Sequence, residues 1–141
     1  MKTKFYKNLA KGFISLFCGL MALSMITPEI SSEASFTFLE GEASWYSELS
    51  PGIRSTTANM EKFDHNDLTC ATWNIPFNTV LKITNVRNGK CVFVRVNDRG
   101  PAKRFYKKGR VVDLTMAAFH SIEDLDKGIA RVRVKIVKSP S

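Results

Sequence analysis

Two segments of the chain alternate apolar and polar residues with a period of two. Within residues 91–97, Val92, Val94 and Val96 occupy every second position, and residues 131–136 repeat the pattern. Successive side chains of a β-strand point to opposite faces, so this alternation predicts strands with one apolar face directed into a core. A chain with several such strands is restricted to architectures that bury one face of each strand.

A hairpin is predicted around the first of these segments. Residues 79–86 predict a further strand, and Asn88-Gly89 separates it from the strand that begins at Cys91. Asn-Gly favours a type I′ turn, because both residues tolerate positive φ, so the two strands are expected to pair antiparallel.

Further elements complete a mainly β domain. Short strands are predicted at 43–46 and 68–73. One Ala-rich helix is predicted from Thr115 to Ile122, with Asp113 or Thr115 as its N-cap. About six short strands and one short α-helix favour a small closed barrel over an open sheet.

The first 34 residues resemble a secretory signal. Four lysines precede an uncharged apolar run from Gly12 to Ile26. A helix of that length spans about 22 Å, short of the roughly 30 Å hydrocarbon core, so a cleaved signal is favoured over a stable membrane anchor. Phe17 before Cys18 does not fit a lipid-attachment motif. The expected organisation is a leader at 1–34, a tether at 35–40, one domain at 41–138 and a tail at 139–141.

The net positive charge and the expected export of the protein together restrict its binding partners. The whole chain carries 21 basic and 13 acidic residues; without the leader, which holds four Lys and two Glu, these become 17 and 11, a net charge of +6. A basic exported protein is expected in the periplasm or cell envelope, where acidic envelope polymers are potential partners. No nucleic-acid partner, cofactor or metal is expected, because no phosphate-binding glycine loop and no metal-like spacing of His65 and His120 with the cysteines is present.

Two cysteines, Cys70 and Cys91, remain once the leader is removed. An oxidising compartment favours a disulfide between them, which would stabilise the fold by about 3 kcal/mol in the chain-entropy model. The alternative is two buried free thiols that pack as small apolar groups.

Three acidic residues are candidates for chemistry. Asp98 follows Val92, Val94 and Val96 at the next alternate position, so its side chain is expected on the same inward face, just before the turn at Gly100-Pro101. It could be a partly desolvated general acid, or it could only cap the turn. Arg99 beside it could hold it ionised. Glu61 lies in a polar loop and Asp113 precedes the predicted helix, so exposed-loop and N-cap roles remain open for them.

A basic run with interleaved aromatic residues follows the break. Residues 103–110 contain five cations together with Phe105 and Tyr106. Such a run could bind an anionic polymer, although a solvated basic loop is the commoner outcome.

Six sequence blocks resemble, in order, the domain of the rare lipoprotein A (RlpA) family. The blocks are GEASWY at 41–46, TANMEKFD at 57–64, LTCAT…PFNT at 68–79, KITNVRNGK at 82–90, VRVNDRGP at 94–101 and VVDLTMAAF at 111–119. This resemblance implies a six-stranded double-psi β-barrel with one short α-helix. It also implies an endolytic peptidoglycan transglycosylase that cuts the MurNAc–GlcNAc β-1,4 bond of naked glycan strands and leaves 1,6-anhydro ends.

The resemblance also assigns roles to residues. It implies that Asp98 is the general acid and base, that Glu61 assists it, and that Asp113 shapes the floor of the groove. Residues that could line sugar subsites are Trp45, Tyr46, Thr72, Trp73 and Asn97. The paired carboxylates of ordinary glycosidases are not obligatory for this reaction, because the nucleophile is the sugar's own 6-hydroxyl.

The chain departs from the family pattern at three positions. Thr72 stands where well-studied members carry a histidine, and a hydroxyl cannot shuttle a proton near neutral pH, so weaker or lost activity is expected. Met60 and Asn78 replace glycines, and a positive φ at Met60 would require the Glu61 loop to be rebuilt. The rival functions are an expansin-like polysaccharide-binding module without catalysis and a structural envelope protein that binds acidic polymers through residues 103–110.

Overall fold

The structure, a computed structural model, describes residues 38–140. The predicted leader at 1–34 and the first part of the predicted tether lie outside the described residues. The first strand already begins at Leu39, so the folded part of the chain starts two residues before the predicted boundary at Gly41.

Six strands form a closed barrel in the order β1-β5-β2-β4-β3-β6. The elements are β1 (Leu39–Tyr46), β2 (Thr69–Ala71), β3 (Val80–Asn85), β4 (Cys91–Asp98), α1 (Lys103–Tyr106), β5 (Arg110–Thr115), α2 (Met116–His120), a 3₁₀ turn (Leu125–Lys127) and β6 (Ile129–Lys138). The predicted mainly β, six-stranded closed barrel is therefore confirmed.

Two of the six strand pairs are parallel. β1 pairs parallel with β5, and β2 pairs parallel with β4, whereas the other four pairs are antiparallel. Parallel neighbours cannot be joined by a short hairpin, so the chain crosses the barrel between them. These crossings bring the ends of four strands, β1, β2, β4 and β5, to one end of the barrel.

The apolar faces of the strands fill the barrel. Val92, Val94 and Val96 are buried, as their alternation predicts, and Val132 and Val134 of β6 join them. The pattern of β6 fails at Ile136, which is 44% exposed near the end of the strand. Buried Phe119 of α2 belongs to the same core cluster.

The predicted hairpin between β3 and β4 is confirmed, but its turn differs from the prediction. Asn85 N–H donates to the Lys90 carbonyl at 2.8 Å, and Gly89 has a φ of 74°, while Asn88 is not in the left-handed region. The turn is therefore longer than a two-residue type I′ turn. Asn88 uses its side chain instead, donating to the Ile122 carbonyl at 2.9 Å and so tying the turn to the segment after α2.

The expectation of a single helix was wrong. The basic run contributes a second one, α1, and the predicted helix spans only Met116–His120, with neither Asp113 nor Thr115 capping it through a side-chain bond. Asp113 instead lies within β5, a strand that the sequence analysis did not separate from the helix. Within residues 38–140, no helix has the length and apolar character needed to cross a bilayer.

The favoured disulfide is also contradicted. Both cysteines are free: Cys70 is fully buried and Cys91 is exposed. Cys70 pairs with Val96 on β4, and Cys91 lies five residues earlier on that strand, about 16 Å away at the rise of a β-strand. Bonded cysteines need Cα atoms within about 7 Å, so this register separates them.

Met60 and Asn78, which replace glycines of the family pattern, both lie in the left-handed region. Met60 has a φ of 72° and Asn78 a φ of 66°. Asn tolerates this region, but a longer side chain is strained in it by about 1–2 kcal/mol. The Met60 side chain is 80% exposed, so little packing offsets the strain.

We predict that Met60→Gly raises the free energy of unfolding by about 1 kcal/mol, because it removes the left-handed strain. Met60→Ala is the matched control and should bring no gain, since it keeps a Cβ at positive φ. Urea unfolding of the three proteins measures this. Equal stability of the Gly and Ala variants would contradict the strain.

We also predict that the two cysteines differ sharply in thiol reactivity. In a Cys18→Ser background, Cys91 should react at once with a thiol reagent and Cys70 only after unfolding, because burial raises the pKa of the Cys70 thiol and blocks access to it. Cys91→Ser should abolish the fast reaction. Finding no reactive thiol in the native, unreduced protein would contradict this prediction and support a disulfide between Cys70 and Cys91.

Candidate active site

The short strand β2 brings two acidic residues together. Ala71 pairs with Asp98 of β4 on one side and with Asp113 of β5 on the other. Two strand spacings separate the two aspartates, so their Cα atoms lie about 10 Å apart. Burial is the main cause that raises the pKa of the Asp113 carboxyl, and the charge on Asp98 acts in the same direction.

Backbone groups from two segments hold the Asp98 carboxylate. Its Oδ1 accepts from Ala58 N–H at 2.9 Å and from Arg99 N–H at 2.8 Å. Because Ala58 belongs to a distant loop, Asp98 does more than cap its own turn. The half-buried side chain lines a groove of about 270 Å³ formed with Arg99 and residues 52–58.

Arg99 does not neutralise Asp98. Its Nη1 donates to the carbonyls of Thr72, at 3.1 Å, and Ile75, at 2.9 Å. Its guanidinium also stacks on the ring of Phe77, 3.7 Å from the centroid. The arginine thus fixes the 72–77 loop, and only its backbone N–H contacts the carboxylate.

Asp113 is the more desolvated of the two acids. Burial is the main cause that raises the pKa of its carboxyl, and the hydrogen bond from Ser44 and the charge of Arg110 lower it in part. Ser44 lies beside Asp113 in the parallel β1–β5 pair, and its hydroxyl donates to Asp113 Oδ1. A carboxyl group in this setting retains its proton to higher pH than an exposed one.

Tyr46 adds a buried hydroxyl beside both acids. Burial and the charges of Asp98 and Asp113 raise the pKa of the phenol, so it remains a donor at any physiological pH. The ring stacks on Phe63 with centroids 4.7 Å apart, which fixes its orientation. The buried hydroxyl interacts with the Asp98 carboxylate, although the geometry is not that of a good hydrogen bond.

Gly100 fits tightly against the acidic pair. A Cβ at this position would lie 3.1 Å from the Ala71 Cβ and 3.4 Å from Asp113 Oδ2. A side chain here would therefore press on Ala71 and come into contact with the carboxyl of Asp113. The requirement for close approach explains a glycine two residues after Asp98.

Glu61 is part of an ion-pair network rather than a free acid. Both its carboxylate oxygens accept from Arg95 at 2.8 Å, and Asn59 and Asn97 donate to it as well. The hydrogen bonds from Arg95 are the main cause that lowers the Glu61 pKa to about 2. Glu61 is thus ionised at neutral pH and cannot donate a proton. Its loop also supplies the Ala58 N–H to Asp98.

The residues predicted to line sugar subsites are not all accessible. Thr72 and Asn97 are 1% and 3% exposed; Thr72 Oγ1 donates to the Val111 carbonyl at 3.0 Å, and Asn97 supports Glu61. Both side chains therefore stabilise the residues around the site and are not exposed to a ligand. Trp45 lies on the opposite face of β1 from Ser44 and Tyr46, with Nε1 donating to the Leu125 carbonyl.

One group of residues could hold a metal ion. Glu48, Asp64 and His65 bring one ligand atom each within 4.8 Å of one another. His65 Nδ1 contacts Glu48 Oε2, and its backbone N–H donates to Oε1 of the same carboxylate at 3.1 Å. The two acids are exposed, and their contacts are those of a surface ion pair.

Three features of the site were missed by the sequence analysis. Ser44 is the partner of Asp113, Arg95 is the partner of Glu61, and Ala71 is the residue that both aspartates flank. The basic residue within the β4 alternation was a usable signal for Arg95. No local signal marks the register that pairs Ser44 and Ala71 with Asp113.

We predict opposite pH effects on stability for the two flanking acids. Asp113→Asn should raise the free energy of unfolding at pH 7 by about 1 kcal/mol, because the raised pKa makes ionised Asp113 unfavourable in the folded state. The gain should shrink as the pH falls through the folded pKa and vanish below 3.8, the unfolded value.

Glu61→Gln provides the contrast. Its lowered pKa means that the charged form stabilises the fold above pH 4.5, so the variant should be less stable at pH 7, with the loss disappearing as the pH approaches about 2. Urea unfolding across this range measures both effects. A destabilised Asp113→Asn protein at pH 7 would contradict the desolvation of that carboxyl.

Comparisons with known proteins agree with this geometry. The family model described as "Lytic transglycolase" matches residues 39–134. The chain is 45% identical over 99 residues to the probable endolytic peptidoglycan transglycosylase RlpA of Synechocystis, covering 70% of this chain and 29% of that protein. It is 40% identical over 99 residues to RlpA of Campylobacter jejuni, covering 70% and 34%. The chain thus matches about a third of the length of these relatives.

Solved structures share the fold at low sequence identity. The apo expansin of Clavibacter michiganensis gives a TM-score of 0.56 at 20% identity, covering 74% of this chain and 52% of that one. The Streptomyces papain inhibitor gives 0.55 at 20% identity, covering 72% and 96%. Both are double-psi barrel proteins, which confirms the predicted barrel type. Because the family model spans β1 to β5 and most of β6, the chain belongs to the lytic transglycolase family.

Proposed function

We propose that this domain is an endolytic transglycosylase that cleaves the MurNAc–GlcNAc β-1,4 bonds of peptidoglycan strands and leaves 1,6-anhydro ends. The observation that carries the proposal is the position of Asp98 in the wall of an open groove, with Ala71 between it and the desolvated Asp113. The names of the RlpA relatives support this reaction class. An exported protein in the cell envelope, with the leader at 1–34 removed, fits such a substrate.

Asp98 is the general acid and base of the reaction. Its carboxyl group donates a proton to the glycosidic oxygen as the C1–O bond breaks, and positive charge develops at C1. The resulting carboxylate then takes the proton of the 6-hydroxyl as O6 bonds to C1. The proton returns to Asp98 and no water is consumed. Bonds from Ala58 and Arg99 hold Oδ1 and so orient the carboxyl for both steps.

Asp113 and Tyr46 set the electrostatic surroundings of Asp98. The raised pKa of Asp113 means that its carboxyl keeps its proton to higher pH than a solvated acid would. The Tyr46 hydroxyl lies near both acids and stays protonated. Asp113 thus forms the floor of the site and, when protonated, adds no negative charge beside Asp98.

Glu61 assists through its permanent negative charge. Held by Arg95, it stays ionised and contributes to the field in which positive charge develops at C1. It also stabilises the loop that presents the Ala58 N–H to Asp98.

Thr72 takes no part in proton transfer. Its hydroxyl is buried and donates to the Val111 carbonyl, so the position of the family histidine has a structural role here. The chemistry therefore depends on Asp98 and Asp113, and a slower reaction than in histidine-bearing relatives is consistent with this arrangement.

Digestion of glycan strands that lack stem peptides tests the proposal. The wild-type protein should release 1,6-anhydro products, detected by mass spectrometry, and Asp98→Asn should reduce their rate at least about 100-fold because it removes the acid and base. Asp126→Asn, an exposed acid in the 3₁₀ turn, is the control and should keep full activity.

The outcome also decides between catalysis and binding alone. Equal product from wild-type and Asp98→Asn proteins would refute the role of Asp98. Strand binding by the wild-type protein with no anhydro product would favour the expansin-like binding module instead.

A further inference from the structure

A second groove, of about 280 Å³, differs in character from the groove that Asp98 lines. It is lined by Trp73, Asn74, Lys103, Tyr106 and Lys107. Trp73 and Asn74 come from the segment after β2, whereas Tyr106 and the two lysines come from the segment of α1, and no acidic residue lines the groove. This groove combines flat apolar surface with positive charge.

The indole of Trp73 is held in place rather than mobile. Its Nε1 donates to the Pro101 carbonyl at 2.7 Å, and Lys103 Nζ lies 5.7 Å from the ring centroid. The ring is half-buried, so part of its surface remains accessible. A fixed aromatic face of this kind packs against the apolar face of a sugar ring at little entropic cost.

The two lysines present uncompensated charge. Lys103 and Lys107 are four residues apart across α1, which places them on the same side of the helix. Among the described residues, no carboxylate lies within ion-pair distance of either lysine. Lys103 lies over the Trp73 ring, whereas Arg104 and Arg110 of the same run both stack on Phe105.

Two short connections link the second groove to Asp98, one through Pro101 and one through Thr72. Pro101, which accepts from Trp73, is three residues beyond Asp98, so their Cα atoms lie within about 11 Å. Thr72, which precedes Trp73, donates its N–H to the Asp98 carbonyl at 3.3 Å. The groove and Asp98 are therefore close enough for neighbouring sugars of one strand to reach both.

We propose that the groove binds a muramic acid residue of the strand and pairs its free lactyl carboxylate with Lys103 and Lys107. The inference rests on the proposed function. In a strand that carries stem peptides this carboxyl group is an amide without charge, whereas in a bare strand it is ionised. We assign to these two lysines the preference for bare strands that the family resemblance implies.

Binding to chemically altered strands tests this selection. In an Asp98→Asn background, which leaves the strands intact, equilibrium binding is compared for bare strands and for bare strands whose carboxyls are converted to methylamides. The protein should bind the methylamide strands about five-fold more weakly, as expected for an exposed charge pair. Lys103→Gln/Lys107→Gln should lose the same factor on bare strands and nothing on methylamide strands.

Lys82→Gln/Lys90→Gln is the matched control, because it removes equal charge from the opposite, hairpin side of β4. It should bind both kinds of strand as the parent protein does. Equal affinity of the parent for both strands would overturn the proposal, and so would an equal loss in the control variant. Lysine-dependent binding of poly(glycerol phosphate) without carboxylate-dependent strand binding would assign the groove to phosphate polymers and also overturn it.

Cleavage is measured separately with the Asp98 proteins. Carboxylate-dependent binding without anhydro products would reject the proposed reaction while keeping the groove assignment. Anhydro products at equal rates from bare and methylamide strands would reject the groove assignment while keeping the proposed reaction.

Discussion

The site depends on the pairing of one three-residue strand. β2 lies between β4 and β5, parallel to one and antiparallel to the other, and Ala71 is the residue at which Asp98 and Asp113 meet. The residues around it are small, since Ala71 and Gly100 leave no room for larger side chains beside Asp113 Oδ2. Without this crossing, two acids 15 positions apart in sequence would belong to separate strands with no shared environment.

Desolvation raises the pKa of one acid of the site, and a neighbouring positive charge lowers the pKa of another. Asp113 loses solvent and gains only Ser44 as a local donor, so its pKa rises, whereas Glu61 gains Arg95 and its pKa falls. The two shifts leave Glu61 as a fixed negative charge and Asp113 as the acid that retains its proton to higher pH. The fold also buries the Tyr46 hydroxyl beside the carboxyls of Asp98 and Asp113, where its raised pKa keeps it protonated.

The sequence predicted the barrel well, because period-two alternation reports burial directly. It placed Val92, Val94 and Val96 inside, and it found the β3–β4 hairpin from Asn88-Gly89. The sequence-based prediction failed where the pairing register of distant strands determines which residues are close together. Cys70 and Cys91 look like a disulfide in sequence but lie at different heights of the barrel.

The candidate acids were identifiable from sequence, but their environments were not. Asp113 was taken to precede a helix, because β5 runs directly into α2 with no turn residue between them. Its burial comes from packing against β1 and β2, which no local pattern reveals. The ionisation of Glu61 depends on Arg95, 34 residues away, and so on the way the loop folds back on β4.

The proton affinity of Asp113 is the most direct test of this account. Carbon-detected NMR of the side-chain carboxyls, followed through a pH titration, would give the pKa of each aspartate. We expect Asp113 to titrate well above 3.8 and to move part of the way back towards that value in Asp98→Asn, because burial remains while the neighbouring charge is removed. A pKa of Asp113 at or below 3.8, unaffected by Asp98→Asn, would show that the two carboxyls share no desolvated site.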